Sequence, residues 1–237
     1  MAQGLVRRAV AALLLTPLLT LLLLAPGAPA RAQSDGPRTP PLNQTLQQRL
    51  DSWPEWRLPA PLPRPGRGDL LYPDWFEGRW QATLRDPAGL EPELQVALRF
   101  RQRSDGAVVG DRAFNAAAIG RALLGDALLS VRDDPRNPNR QLALLSEDRR
   151  LESTVVGRSE ALIDADTLLA DELSLQVLHG PGDPRISRIE TLSRYRRIGR
   201  DRIEGEQWQA SYDSPADGLA ATAQRSWRGA LVLERLP

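Results

Sequence analysis

The side chains best suited to hold a negatively charged group form a polar set in the middle of the chain. They are Asp111, Arg112, Asn115, Asn139 and Arg140. Because a guanidinium binds a carboxylate or phosphate through paired hydrogen bonds, Arg112, Asn115 and Arg140 are candidate ligand-binding residues for the polar end of a mainly apolar molecule. A structural interpretation stays open beside this one: Asp111 caps a helix, Asn139 shapes a turn and Arg140 pairs with an acid.

Other residues with catalytic or metal-binding chemistry are scarce. The chain has no Cys and one His, which excludes disulfides, Cys nucleophiles, zinc ribbons, iron–sulfur clusters and His-rich metal sites. No P-loop, dinucleotide fingerprint or G-x-S-x-G elbow occurs. Asp164 could begin a calcium loop, but the sixth and twelfth positions hold Leu169 and Leu175 instead of Gly and Glu. We therefore predict no catalytic residue, metal site or cofactor, although two carboxylates that meet only in space would escape a sequence search.

The first 32 residues have the pattern of a signal peptide. Arg7 and Arg8 precede an apolar run from Ala9 to Ala25, and small residues follow up to Ala32 in two overlapping A-x-A cleavage patterns. An uncleaved membrane anchor is the alternative, because the run is about as long as the shortest spanning helices. Cleavage would change the formal charge from +1 to about −2. Neither charge gives a reason to expect nucleic acid as a partner.

Residues 33–70 are predicted to form an extended, Pro-rich arm. Prolines alternate with other residues from Pro59 to Pro65, which excludes a regular helix or a central strand and favours a polyproline II path. Only Asn43 to Leu50 could form a short helix. Trp53 and Trp56 are predicted to pack this arm onto the domain, and the alternative is that they form an exposed site for a partner or a membrane interface.

From residue 71 to the end of the chain, the dominant hydrophobic period is two, which is typical of antiparallel strands. The clearest segment is 94–101, and weaker ones recur at 129–131, 142–144, 151–156, 173–177, 189–195, 203–212 and 230–233, separated by turn residues. Eight or nine short strands predict an all-β barrel or sandwich domain at 71–237. One segment differs: Asp111 to Leu124 is predicted to be a helix that is capped by Asp111 and ends at Gly125.

The most informative motif is Gly78-Arg-Trp80 at the start of the first long strand, preceded by two aromatic residues. It resembles the G-x-W signature of lipocalins and the wider calycin group. Gly lets the chain enter a barrel closely, and the Trp closes one end of the apolar interior. In lipocalins an Arg of the last strand packs across that Trp, so the resemblance implies that Arg235, or else Arg228, makes this cation–π contact. We therefore predict a calycin-like barrel closed by Gly78, Trp80 and Arg235, with another antiparallel barrel or sandwich as the alternative.

The chain from roughly residue 50 onward also resembles an uncharacterised family of exported cyanobacterial and chloroplast-lumen proteins. The resemblance rests on four segments: Leu71–Trp80, Val109–Asn115, Asp134–Arg140 and Leu151–Thr154. It implies a periplasmic or thylakoid-lumen location, and it implies no activity.

Together these patterns predict an exported protein that binds a small hydrophobic ligand, such as a lipid, a carotenoid or a tetrapyrrole, because a barrel closed at one end leaves an interior for one such molecule. Two alternatives belong to other classes. One is a non-enzymatic assembly factor for membrane (photosynthetic) complexes that uses the Pro-rich arm with Trp53 and Trp56. The other is a cofactorless isomerase or lyase inside a calycin barrel.

Overall fold

The fold is known from a computed structural model that describes residues 42–89, 92–213 and 221–237. The predicted signal peptide at 1–32 and the first part of the Pro-rich arm lie outside these ranges. Within the ranges, no helix has both the length and the apolar character needed to cross a membrane.

The described residues form two α-helices, two short 3-10 helices and eleven strands. Helix α1 spans Leu42–Asp51 and helix α2 spans Arg112–Leu124, while the 3-10 helices are Asp74–Phe76 and Gly125–Ala127. The strands are β1 (Leu71–Tyr72), β2 (Gly78–Arg85), β3 (Leu94–Gln102), β4 (Val108–Gly110), β5 (Leu128–Asp134), β6 (Asn137–Leu145), β7 (Arg149–Asp164), β8 (Thr167–His179), β9 (Arg185–Arg197), β10 (Arg202–Asp213) and β11 (Arg225–Arg235).

All eleven strands join one antiparallel sheet in the order β1-β4-β3-β2-β11-β10-β9-β8-β7-β6-β5, and this sheet curls into a half-barrel. Helix α2 packs against both β3 and β5, so it lies between the two ends of the curled sheet. The predicted all-β, barrel-like fold with one inserted helix is confirmed. The strand count is eleven instead of eight or nine, because β1 and β4 are only two and three residues long and are too short to show a period.

Both faces of the long strands are buried, because consecutive side chains of a strand point to opposite faces. On β8, Leu168 and Ala170 belong to the core cluster that contains Trp80, while Leu169 belongs to a second cluster beneath α1. We call the first side the inner face and the second side the outer face. The inner face is the concave side of a barrel-like sheet, and α1 covers part of the outer face.

From residue 53 to residue 63, the Pro-rich arm runs across the outer face instead of forming a free tether. The backbone of Leu58 donates to the carbonyl of Ala221 at 2.7 Å, and the carbonyl of Pro63 accepts from the Arg158 N–H at 2.9 Å. Trp56 is fully buried in the outer cluster, and Trp53 is partly buried against it. The prediction that both tryptophans pack the arm onto the domain is confirmed.

Helix α2 begins and ends where the capping residues predict. The Asp111 carboxylate accepts a hydrogen bond from the Phe114 N–H at 3.2 Å, and Gly125 at φ +58° ends the helix in a conformation that favours glycine. Ile119 and Leu123 are buried against the inner core, which holds the helix between the ends of the sheet.

Candidate functional site

The three residues predicted to close the barrel lie together at one end of the sheet. The guanidinium carbon of Arg235 lies 4.3 Å from the ring centroid of Trp80. Gly78 has φ +120°, and a Cβ at this position would lie 2.6 Å from Arg235 Nη1. Trp80 is fully buried and donates its Nε1–H to the Phe76 carbonyl at 2.7 Å. The other candidate, Arg228, lies over an outer-face tryptophan instead.

Packed aromatic rings fill the interior next to this closed end. The ring centroid of Phe76 lies 4.8 Å from that of Tyr72, 4.9 Å from that of Phe100 and 5.2 Å from that of Tyr195. All four rings are buried. Because edge-to-face contacts of this kind stabilise a core beyond the area they bury, the closed end is a packed core, and any binding surface lies further along the inner face.

Further from the closed end, the inner face becomes polar. Cross-strand pairing places inward-facing residues of β8, β9 and β10 side by side: Glu172 pairs with Thr191, which pairs with Gln209. We call these residues and their inward neighbours on β7 to β10 the polar belt: Ser153, Arg158, Glu172, Ser174, Gln176, Thr191, Ser193, Gln207, Gln209 and Ser211. Most of its members are buried.

The belt is only partly satisfied by its own hydrogen bonds. Gln207 Nε2 donates to Ser193 Oγ at 3.2 Å, and Gln209 Nε2 donates to Thr191 Oγ1 at 3.1 Å. Five buried hydroxyl and amide atoms of the belt have no hydrogen-bond partner among the described residues: Ser153 Oγ, Ser174 Oγ, Gln176 Nε2, Gln207 Oε1 and Ser211 Oγ. Such groups are few in folded proteins, and each costs about 1–3 kcal/mol. Buried atoms without a partner among the described residues also occur on the outer face, at Ser159 and Arg188. The five belt atoms differ in sharing one concave surface, which makes the belt the candidate site.

An ionic cluster lies at the β7 side of the belt. Glu172 Oε1 accepts from Arg158 Nε at 2.6 Å and from Arg112 Nη2 at 2.9 Å, and Arg112 Nε donates to Asp69 Oδ1 at 2.7 Å. Burial acts to raise the pKa of Glu172, but the two guanidiniums outweigh it and hold that pKa below its usual range. Two carboxylates thus balance two guanidiniums inside the protein.

The structure brings two of the three predicted ligand-binding residues to one small cavity. Arg112 and Asn115 both line it, together with Tyr72 and Gly110. Asn115, however, uses its amide to join α2 to β3: Oδ1 accepts from the Arg99 N–H at 2.8 Å, and Nδ2 donates to the Arg99 carbonyl at 3.1 Å. Arg112 is the predicted residue whose contacts reach the belt.

Arg140 does not line this cavity. Its Nε donates to Asp134 Oδ2 at 2.6 Å, and its Nη1 lies 3.7 Å from Glu152 Oε2. The neighbouring Asn139 donates from Nδ2 to the carbonyl of Gly66 at 2.9 Å, which holds the arm against β6. These contacts agree with the structural interpretation of both residues.

A second buried ionic cluster lies on the outer face, beneath α1. Arg49 donates from Nε and Nη2 to the two carboxylate oxygens of Glu190, at 2.6 and 2.5 Å, and the Tyr212 hydroxyl donates to Glu190 Oε2 at 2.6 Å. Asp171 is buried beside this group; burial and the charge of Glu190 raise its pKa well above its usual range. This carboxyl pair, which meets only in space, is covered by α1 and lies away from the belt.

Sequence reasoning missed the belt, because polar residues that alternate with apolar ones in a strand are usually read as facing solvent. The detectable signal is a strand whose polar residues alternate with large apolar ones. In β10, Gln207, Gln209 and Ser211 alternate with Trp208, Ala210 and Tyr212, which belong to the outer-face cluster. Alternation alone does not say that the polar side is the concave one.

A family model described as "Domain of unknown function (DUF6816)" matches residues 64–226, which is more than half of the chain. The matched range contains the whole polar belt, the closing Gly78 and Trp80, and the ionic cluster around Glu172. No curated protein matches the chain, and no solved structure matches it.

Proposed function

The chain belongs to the DUF6816 family, and we propose that this protein binds, inside its curled sheet, a small hydrophobic molecule that carries hydrogen-bonding groups. The observation that supports the proposal is the polar belt, where five buried hydroxyl and amide atoms on the concave face have no hydrogen-bond partner among the described residues.

A purely structural role would favour apolar side chains at these positions. Inward-facing positions of a small barrel are ordinarily filled by packed side chains, as they are next to Trp80 in this protein. The belt instead places hydroxyl and amide groups at buried positions such as Ser174, which is fully buried, and Gln176. A bound molecule that supplied donors and acceptors would remove the cost of these unpaired groups.

The ligand classes that suit this interior and an exported protein are lipids, carotenoids and tetrapyrroles with polar substituents. The aromatic core at the closed end provides an apolar boundary, and the belt provides the hydrogen bonds that orient the ligand. Export to a periplasm or thylakoid lumen is part of the proposal, and it rests on the signal-peptide pattern in the sequence.

Native mass spectrometry of protein purified from its own host tests this function. We expect a mass above that of the polypeptide, released as an apolar compound by solvent extraction. Protein that is purified without any extractable small molecule, and that binds none of the three ligand classes when they are added back, would contradict the proposal.

A pair of Gln→Leu variants tests the position of the site. Gln176→Leu removes a buried amide of the belt, while Gln95→Leu makes the same chemical change on an exposed position of β3. We expect the first variant to lower ligand occupancy about tenfold, equivalent to roughly one good hydrogen bond, and the second to leave occupancy unchanged. Equal occupancy in both variants would place the ligand elsewhere.

The two alternative functions receive less support from the described residues. Trp56 would have to leave the core before it could contact a partner, because it is fully buried and donates its Nε1–H to the Arg49 carbonyl at 2.6 Å. A carboxyl pair for acid–base catalysis does exist in Asp171 and Glu190, but it lies on the outer face beneath α1, away from the concave interior.

A further inference from the structure

Trp227 occupies an unusual position on the inner face of β11. It pairs with Gln209 of β10, and the next inward-facing residue of its strand is Gly229, which pairs with Gln207. A Cβ at Gly229 would lie 1.8 Å from Trp227 Cη2 and 2.5 Å from Cζ2. The indole therefore lies over Gly229, in space that any side chain at that position would occupy.

The surroundings of Trp227 differ from those of the tryptophans that serve the core. Trp80 and Trp56 are fully buried, and each donates its Nε1–H to a backbone carbonyl, at 2.7 and 2.6 Å. Trp227 is only partly buried, and its buried Nε1 has no hydrogen-bond partner among the described residues, as is also true of Trp53 and Trp75. Trp227 differs from those two in lying next to the polar belt, since it pairs with Gln209. Part of its ring surface and its single polar atom are thus unused by the fold.

The belt atoms nearest along the pairing are also unused. Gln207, across from Gly229, has an unpartnered Oε1, and Ser211, further along the same strand and face, has an unpartnered Oγ. The partly exposed ring of Trp227 thus lies next to the strand that carries the buried Gln207 acceptor and the buried Ser211 hydroxyl.

We propose that Trp227, seated over Gly229, is a stacking platform for a planar ring system, and that Gln207 and Ser211 bind polar groups on the edge of that ring. This inference rests on the proposed binding function and narrows its ligand class. A flat conjugated ring gains a stacking contact with the indole, whereas a saturated chain gains only buried area. The preferred ligand is therefore a conjugated ring compound with oxygen or nitrogen substituents, such as a tetrapyrrole, rather than an acyl-chain lipid.

The test compares two probes that share a hydroxyl group and differ in planarity: naphthol, which is flat, and decanol, which is a saturated chain. Both are titrated by calorimetry into the wild type, Trp227→Leu, Trp227→Phe and the control Trp208→Leu. Trp208 lies on the neighbouring strand and on the opposite face. Thermal unfolding of each variant confirms that it is folded.

We expect Trp227→Leu to weaken naphthol binding about tenfold and to change decanol binding by less than about twofold. Trp227→Phe, which keeps an aromatic ring, is expected to recover most of the lost naphthol affinity. Trp208→Leu is expected to leave the ratio of the two affinities unchanged. Gly229→Ala would displace the indole and is expected to reproduce the effect of Trp227→Leu. If the Ala variant fails to fold, the naphthol and decanol affinities of Trp227→Leu and Trp227→Phe test the stacking platform without it.

Two outcomes would overturn the inference in different ways. If the wild type binds both probes and Trp227→Leu weakens both equally or neither, the binding function stands and the stacking platform is wrong. If the folded wild type binds neither probe, the stacking platform is wrong. If protein from the native host also contains no small molecule, the proposed function fails with it.

Discussion

Asp171 and Glu172 are consecutive carboxyl groups of β8, but strand alternation places them in two regions with opposite electrostatics. On the outer face, burial and the negative charge of Glu190 raise the pKa of Asp171. On the inner face, burial also acts on Glu172, yet Arg112 and Arg158 lower its pKa overall. The charged groups on each face, and not the residue type, therefore decide whether the pKa of a buried carboxyl group of this strand is raised or lowered.

The Arg49 cluster and the polar belt differ in how their polar atoms are used, although other outer-face groups, at Ser159 and Arg188, also have buried atoms without a hydrogen-bond partner among the described residues. On the outer face, Arg49, Glu190 and Tyr212 satisfy one another, and the cluster joins α1 to the sheet. On the inner face, five hydroxyl and amide atoms of the belt have no hydrogen-bond partner among the described residues. A satisfied cluster indicates a structural role, while a group of unsatisfied atoms on a concave surface indicates a place for a ligand.

The largest expected effect comes from breaking the outer cluster. Arg49→Ala would leave the fully buried carboxylate of Glu190 without its guanidinium partner, which costs about 3–5 kcal/mol in comparable buried pairs. Urea unfolding measures the loss. Arg85→Ala is the matched control, because its ion pair with Glu93 lies on the surface, and it is expected to cost at most about 1 kcal/mol. Equal effects of the two variants would show that α1 is not held by this cluster.

The next effect is a pair of opposite pH dependences from adjacent residues. Because the pKa of Asp171 is raised in the folded protein, folding favours the protonated carboxyl group. Its contribution to the free energy of unfolding is complete below the pKa of an unfolded Asp, near 3.9, and is lost as the pH rises. Asp171→Asn is therefore expected to become more stable relative to wild type as the pH rises from about 4 to 7.

Glu172, whose pKa is lowered, is expected to show the opposite pH dependence. Glu172→Gln should be less stable than wild type at neutral pH, by an amount that shrinks as the pH falls below about 4. Urea midpoints across this range test both, and parallel pH profiles of the two variants would contradict the assignment of opposite environments.

The smallest expected effect on stability comes from the belt itself. Ser174 Oγ is buried without a partner among the described residues, so Ser174→Ala is expected to change the free energy of unfolding of the ligand-free protein by less than about 1 kcal/mol, or to increase it. Ligand affinity is expected to fall in the same variant. A large loss of stability, with ligand occupancy intact, would show that the hydroxyl serves the fold.

Several features of this protein follow from local sequence. The Gly78-Arg-Trp80 motif indicated a closed end through its resemblance to the lipocalin signature, and the structure places Arg235 over that Trp. Asp111 and Gly125 indicated the ends of α2, because capping depends on hydrogen bonds within one turn.

The binding surface could not be obtained in the same way. Gln207 and Gln209 alternate with outer-face residues, as they would in a strand with one face in water, and no local rule shows that their side is enclosed. Likewise, the partners of Arg112 are separated from it in the sequence: Asp69 comes from the Pro-rich arm and Glu172 from β8. Arg140, a predicted ligand residue, pairs with Asp134 six positions away.

The sequence alone determined the alternating strands, the inserted helix and the stretch 59–65 in which prolines exclude a regular helix, because each depends on periodicity or on contacts between near neighbours. Only the tertiary structure decided which face of each strand is concave, which buried carboxyl group has a raised pKa and which a lowered one, and that Trp227 lies over Gly229 beside the belt. Those properties depend on how eleven strands curl and on which distant segments cover them, and burial and charge pairing between distant segments leave no periodic trace in the chain.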